Sequence, residues 1–169
     1  IMAVTTQKST EYTNASATPV TTTDTSVHHG RLRISYFTHD QDGAGDATSS
    51  VAIAKLPAGK VKLLGSLSRA YVNWTTSSHT LDLGWDAYTS ATASTDGDTI
   101  AADPNGLIDG LDVDTVGYQT LEGALAGIKA TGGTYTFESR DGVVIRATSQ
   151  DVALGDGDDL IGYLIYVVD

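Results

Sequence analysis

The feature that most constrains this chain is a period-two alternation of apolar and polar residues, repeated in short runs that each end in turn-forming residues. From Arg31 onward, Leu32, Ile34 and Tyr36 fall on one face and Arg33, Ser35 and Phe37 on the other, which is the spacing of a β-strand. A second run over 51–56 stops at Pro57-Ala58-Gly59, a turn signal. Residues 60–64 set Val61 and Leu63 against Lys60 and Lys62, and 67–74 follows after Gly65, where a bulge or bend is expected. Over 80–89, Leu81, Leu83, Trp85 and Ala87 alternate with Asp82, Gly84, Asp86 and Tyr88, which predicts one inner and one outer face with Trp85 inward.

The second half is less regular. Asp96-Gly97, Pro104-Asn105-Gly106 and Asp109-Gly110 crowd residues 90–115 with turn chemistry, so a long excursion with little regular structure is expected there. Leu121, Ala124, Leu125 and Ile128 have helical spacing, but Gly123 and Gly127 each cost a helix ~1 kcal/mol relative to Ala; a short helix and an irregular segment both fit. Asp141-Gly142 between 134–140 and 143–148 predicts a tight hairpin. The run 160–168 is almost continuously apolar, which predicts burial on both faces or at a sheet–sheet or subunit junction.

Seven or eight short strands with at most one short helix give an all-β antiparallel β-sandwich, with a jelly roll as the preferred topology. Residues 1–30 are polar, with Thr21, Thr22, Thr23 and Thr25 clustered, and are expected to form an extended N-terminal arm; 31–169 is expected to be a single β-sandwich domain. The start of the chain lacks the basic-then-apolar pattern of a signal peptide, and Ile1 stands before Met2. The longest apolar runs are about half of the ~20 residues a membrane helix needs.

Ten basic against 21 acidic residues leave a net charge of −11, which disfavours nucleic acid and anionic membrane surfaces as partners. The charge is uneven: up to Gly84 there are seven basic and six acidic residues, and from Trp85 onward three and fifteen. If strands from each half cluster in space, one face is comparatively basic and another strongly acidic, an arrangement that steers docking.

No motif for chemistry stands out. The absence of Cys removes thiol nucleophiles, thiolate zinc sites and iron–sulfur clusters. The acidic groups Asp40/Asp42/Asp46, Asp103/Asn105/Asp109/Asp112/Asp114 and Asp156/Asp158/Asp159 all miss the calcium-loop spacing and suit turn geometry instead. His28-His29, His39 and His79 lack the helical pairing of a hydrolytic zinc site. A nucleophile elbow and a phosphate-cradling loop are both absent, and Glu122 and Glu138 have no context that marks a glycosidase pair. The chain is therefore read as no enzyme, with no cofactor and no metal. Tyr71, Trp74, Trp85 and Tyr88 are candidates for a sugar-stacking platform, with burial in the core as the alternative.

The stretches 45–51, 55–61, Leu64-Gly65-Ser66-Leu67-Ser68 and Leu81-Asp82-Leu83-Gly84-Trp85, with Ala102-Asp103-Pro104-Asn105-Gly106-Leu107 and Asp158-Asp159-Leu160-Ile161-Gly162-Tyr163, resemble small head-associated structural proteins of tailed bacteriophages. That resemblance implies a capsid decoration or cement protein: a β-rich module on the capsid exterior of the virion, commonly a trimer, that docks on the major capsid protein and fastens neighbouring capsomers. The polar arm then suits a segment that orders on the shell, and Arg31, Arg33, Lys60 and Lys62 are the expected capsid-interface residues. The alternative is a carbohydrate-binding or receptor-binding β-sandwich of a virion that uses Trp74 or Tyr88 with the acidic loop 96–114.

Overall fold

The computed structural model describes residues 8–22, 30–74, 78–121 and 133–169. Their strands are β1 (Leu32–Asp40), β2 (Ser50–Leu56), β3 (Gly59–Leu64), β4 (Arg69–Asn73), β5 (Thr80–Trp85) and β6 (Tyr88–Thr89), followed by β7 (Thr99–Ile100), β8 (Asp103–Asp112), β9 (Gly117–Thr120), β10 (Thr134–Ser139), β11 (Val143–Gln150) and β12 (Asp159–Val168). One helix, α1 (Thr10–Ser16), lies in the polar lead-in, where the Ser9 hydroxyl accepts the Tyr12 N–H and so satisfies one of the orphan donors of its first turn. No apolar periodicity marks it, so the sequence reading missed it. The expected helix site at 121–128 lies outside the described residues apart from Leu121. Among the described residues no helix is long and apolar enough to cross a membrane.

All the strands pair antiparallel, in two main sheets and a small β6–β7 ribbon. β4 pairs with the first half of β12 and β3 with its last three residues, so these two form one bent ribbon, broken by the 3-10 turn Gly65–Leu67 at the glycine where a bend was expected. β9 runs beside β4 and β10 beside β3, so they too act as one ribbon. Counted this way there are eight ribbons. The first sheet runs β1, β12, β3/β4, β10/β9 and the second β2, β11, β5, β8, or 1-8-3-6 and 2-7-4-5 in chain order. That interleaving is the jelly roll.

Alternation drives the packing. Phe37, Val61, Leu63, Val72, Leu160 and Leu164 of the first sheet close onto Leu81, Leu83, Trp85, Ile108 and Ile145 of the second. Phe137 is fully buried where Trp85, Tyr88 and Tyr135 meet it, with ring centroids 5.5, 6.0 and 4.7 Å away. Burial pushes the Tyr88 and Tyr135 phenols above their ordinary value.

Three expectations are corrected. Residues 90–115 hold a ten-residue strand, β8, at the edge of the second sheet. Its turn signals are strand irregularities: the register with β5 slips twice, and the Gly110 N–H donates to the Asp82 carboxylate at 2.7 Å. Gly106 is required for contact, since a Cβ there would sit 2.3 Å from the Trp85 ring. The 134–148 segment is no hairpin. β10 pairs with β3 in one sheet and β11 with β2 and β5 in the other, so Asp141-Gly142 carries the chain between sheets, with Gly142 at φ +85°. Finally, Asp82 on the expected outer face of β5 is buried under β8, and 80–89 breaks into β5 and β6.

Candidate functional site

The outer face of the first sheet departs from the usual sandwich pattern, in which outward residues are polar. Cross-strand register places Leu32 with Val167, Ile34 with Ile165, Tyr36 with Tyr163, and Thr38 with Ile161. Because Phe37 points into the core, the whole Leu32, Ile34, Tyr36 series points away from it. Sequence alternation correctly separates the two faces of β1, but the larger apolar set is the outward one. The same parity puts Ile161, Tyr163 and Ile165 of β12 outside and Leu160 and Leu164 inside. The near-continuous apolar run of β12 therefore serves the core on one side and, on the other, an outer face that is exposed at Ile161, half-buried at Tyr163 and Ile165 and closed over at Val167.

At the centre of that face two rows of side chains cross the sheet. Tyr36, Tyr163, Arg69 and Thr120 form one row, and Thr38, Ile161, Tyr71 and Tyr118 the next. The tyrosines meet in edge-to-face pairs, Tyr36 with Tyr163 at 5.9 Å and 65°, and Tyr71 with Tyr118 at 5.4 Å and 62°. Between the pairs lies an open groove of about 320 Å³, floored by Ile161 and Gly162 and bordered by Arg69. Tyr36 and Tyr118 are 74% and 75% exposed, Leu32 61% and Ile34 46%. A contiguous apolar surface of this kind marks an interaction site in proteins generally, and Tyr and Arg are among the residue types enriched at interface hot spots.

The four expected interface cations do not form one cluster. Lys62 lies on the outer side of β3 opposite Val167, and Lys60 is 3.8 Å from Asp169. Arg33 sits on the opposite side of β1 from Ile34 and Tyr36, opposite Tyr166. Arg31 is exposed just ahead of β1. Nor do the two halves of the sequence segregate, because each sheet interleaves strands from both. The missed residue is Arg69, which reads as an ordinary polar position of β4 until register places it between Tyr163 and Thr120.

The remaining candidates have structural roles. Trp74 is 4% exposed and stacks on the buried His79 at 5.0 Å; His79 Nε2 lies 3.0 Å from the Val152 carbonyl and 3.1 Å from the Ser149 hydroxyl. Trp85 is buried as expected, donating its indole N–H to the Ala101 carbonyl, and Tyr88 packs on Phe137. Of the four aromatics proposed for a sugar platform, only Tyr71 lies on the open face. His39 meets Gln41, and Glu138 lies opposite Lys60 in the β10–β3 pair. Asp156, Asp158 and Asp112 accept N–H groups from Gly43, Gly155 and Asp114, which is the turn chemistry expected of them. Among the described residues no group of three or more His, Cys, Asp or Glu is placed to hold a metal ion. His28-His29 and Glu122 lie outside the described residues.

No family model and no curated protein matches the sequence. Among solved structures, the chain is similar to one in the cyanophage Pam1 capsid asymmetric unit, with 16% identity, a TM-score of 0.45, and coverage of 83% of this chain and 86% of that one. It is also similar to a chain of infectious bursal disease virus, Gt strain, at 13% identity and a TM-score of 0.39, covering 82% of this chain and 32% of that one. The Gx strain of the same virus gives 14% and 0.34. Likenesses this weak define neither a family nor a function.

Proposed function

We propose that this protein is a non-catalytic structural component of a virion, a decoration or cement protein that docks on the major capsid protein and stabilises the head. The observation that carries the reading is the outward series Leu32, Ile34, Tyr36, Ile161 and Tyr118 on a sheet whose other face already fills the core. The sequence resemblance to head-associated phage proteins supports the choice of partner. Covering a tyrosine removes ~150 to 250 Å² from water, so the two most exposed rings are worth several kcal/mol at ~25 cal/mol per Å². Association costs of ~4 kcal/mol or more offset much of that. One copy alone then binds weakly, and firm attachment comes from several copies acting together, a trimer on the capsid exterior in this reading. Lys62 and Lys60 on the outer side of β3 supply positive charge toward an acidic shell, Lys60 partly answered by Asp169, while Arg31 ahead of β1 and Arg33 on the other side of that strand would reach it round the β1 edge.

The test is sedimentation of purified protein with empty capsids, read together with the temperature at which the shells disrupt. The expected result is co-sedimentation at a copy number comparable with the shell protein and a higher disruption temperature. Binding that is absent, or that leaves that temperature unchanged, removes the reading.

A further inference from the structure

We infer that the groove around Arg69 is an anchor pocket for a carboxylate side chain of the partner polypeptide, presented beside a flat apolar side chain. The inference rests on the docking reading above and adds the chemistry of its central contact.

Arg69 is the reason. Of the chain's five arginines, the two in its second half are held in two-pronged carboxylate contacts, Arg140 by Asp96 at 2.9 and 2.6 Å and Arg146 by Asp86 at 2.7 and 2.7 Å; of the three in its first half, Arg69 is the one that borders a groove. Arg69 has no ion pair among the described residues, and no acid lines its groove. In a protein with 21 acidic residues and a net charge of −11, an exposed guanidinium without a carboxylate is a vacancy in charge complementarity. Its planar fork fits a carboxylate with two parallel hydrogen bonds. A phosphate, with nearly two negative charges, calls for more than this single cation.

The surroundings specify the rest of the ligand. The two edge-to-face tyrosine pairs present ring surface on either side of Arg69, and Ile161 provides an apolar floor. A volume of about 320 Å³ is at the lower end for a ligand pocket and suits one large side chain next to the acid. The apolar surface does not stop at the groove. It runs on through Ile34 and Leu32 toward Lys62, an extent that a polypeptide surface covers and a single small ligand does not.

Full-length protein titrated with phenylacetate, 2-phenylethanol and glucuronate, with the tyrosine ring resonances followed by NMR, tests the pocket without the shell. Phenylacetate should shift the Tyr36 and Tyr163 rings and bind about two- to fivefold more tightly than the uncharged alcohol, the preference expected of a solvent-exposed ion pair. Arg69→Gln should erase that preference and Arg69→Lys keep part of it. Equal binding of acid and alcohol, or an unchanged preference in Arg69→Gln, overturns the pocket. Tighter binding of glucuronate than of phenylacetate overturns the polypeptide assignment in favour of an acidic sugar. On capsids, Arg69→Gln should weaken binding about tenfold or more. Capsid binding kept by Arg69→Gln but lost by Tyr36→Ser/Tyr118→Ser overturns the anchor and spares the docking reading. Phenylacetate selectivity in a protein that never binds capsids overturns the docking reading and spares the carboxylate pocket.

Discussion

The two sheets share one core but treat their outer faces differently. On the second sheet two outward polar groups are answered from within the chain: Asp86 clamps Arg146, and Asp82 is buried beneath β8, where it accepts the Gly110 N–H. On the first sheet the outward set includes large apolar groups beside Lys62 and Arg69, and Tyr36 and Tyr118 are among its most exposed side chains. The difference separates residues kept for folding from residues kept for contact. A side chain whose partners are all internal stabilises the molecule; one that stacks outward over a sheet already packed on its other face contributes little until something covers it.

The contrast is broken most severely from the core. Phe137→Ala removes the ring that Trp85, Tyr88 and Tyr135 pack around, at a fully buried site, and should cost ~3 to 5 kcal/mol in denaturant unfolding. On the closed outer face, Asp82→Ala should cost ~1 to 3 kcal/mol, because the Gly110 N–H loses its acceptor beneath β8. A smaller effect is tied to pH. The hydrogen bonds from Arg146 hold the Asp86 carboxyl below its ordinary value of 3.8. Its contribution is present above that unfolded value and disappears as pH falls through the lower folded one. The acid limb of the stability curve should therefore be shallower in Asp86→Asn, and an unchanged limb would show that the pair is idle.

The smallest stability effect belongs to the open face. Tyr36→Ser and Tyr118→Ser, which each lose one edge-to-face cross-strand pair, should each cost no more than ~1 kcal/mol. Losses of ~2 kcal/mol or more in either would mean that these rings support the fold and that the two faces are alike.

Much of this architecture was legible in the residues. The alternation in β1 to β5 and the long apolar run of β12 mark six of the strands, because a half-buried strand must repeat every two residues. What failed was whatever local chemistry leaves undetermined. Asp141-Gly142 specifies a tight reversal but not whether the strands beyond it stay paired, and here Phe137 and Ile145 join the core from opposite sheets. Pro104, Gly106 and Gly110 carry turn signals because an edge strand tolerates bulges, and β8 uses them to bend over β5. Alternation gives β1 two faces without saying which is inside; Phe37 alone settles that. The groove was illegible for a further reason. Tyr36, Arg69, Tyr118 and Tyr163 come from four strands far apart in sequence, and only the register of the β1, β12, β4 and β9 ribbons joins them.

In the proposed docking, the tyrosine face is where this protein meets its partner. Hydroxyl-radical footprinting of the protein free and bound to purified capsids measures it directly. Strong protection of Tyr36, Tyr118 and Ile161 on binding is expected, with the exposed parts of β2 and β11 labelled as before. Protection of the β2–β11 side, with Tyr36 and Tyr118 still fully labelled, would contradict it.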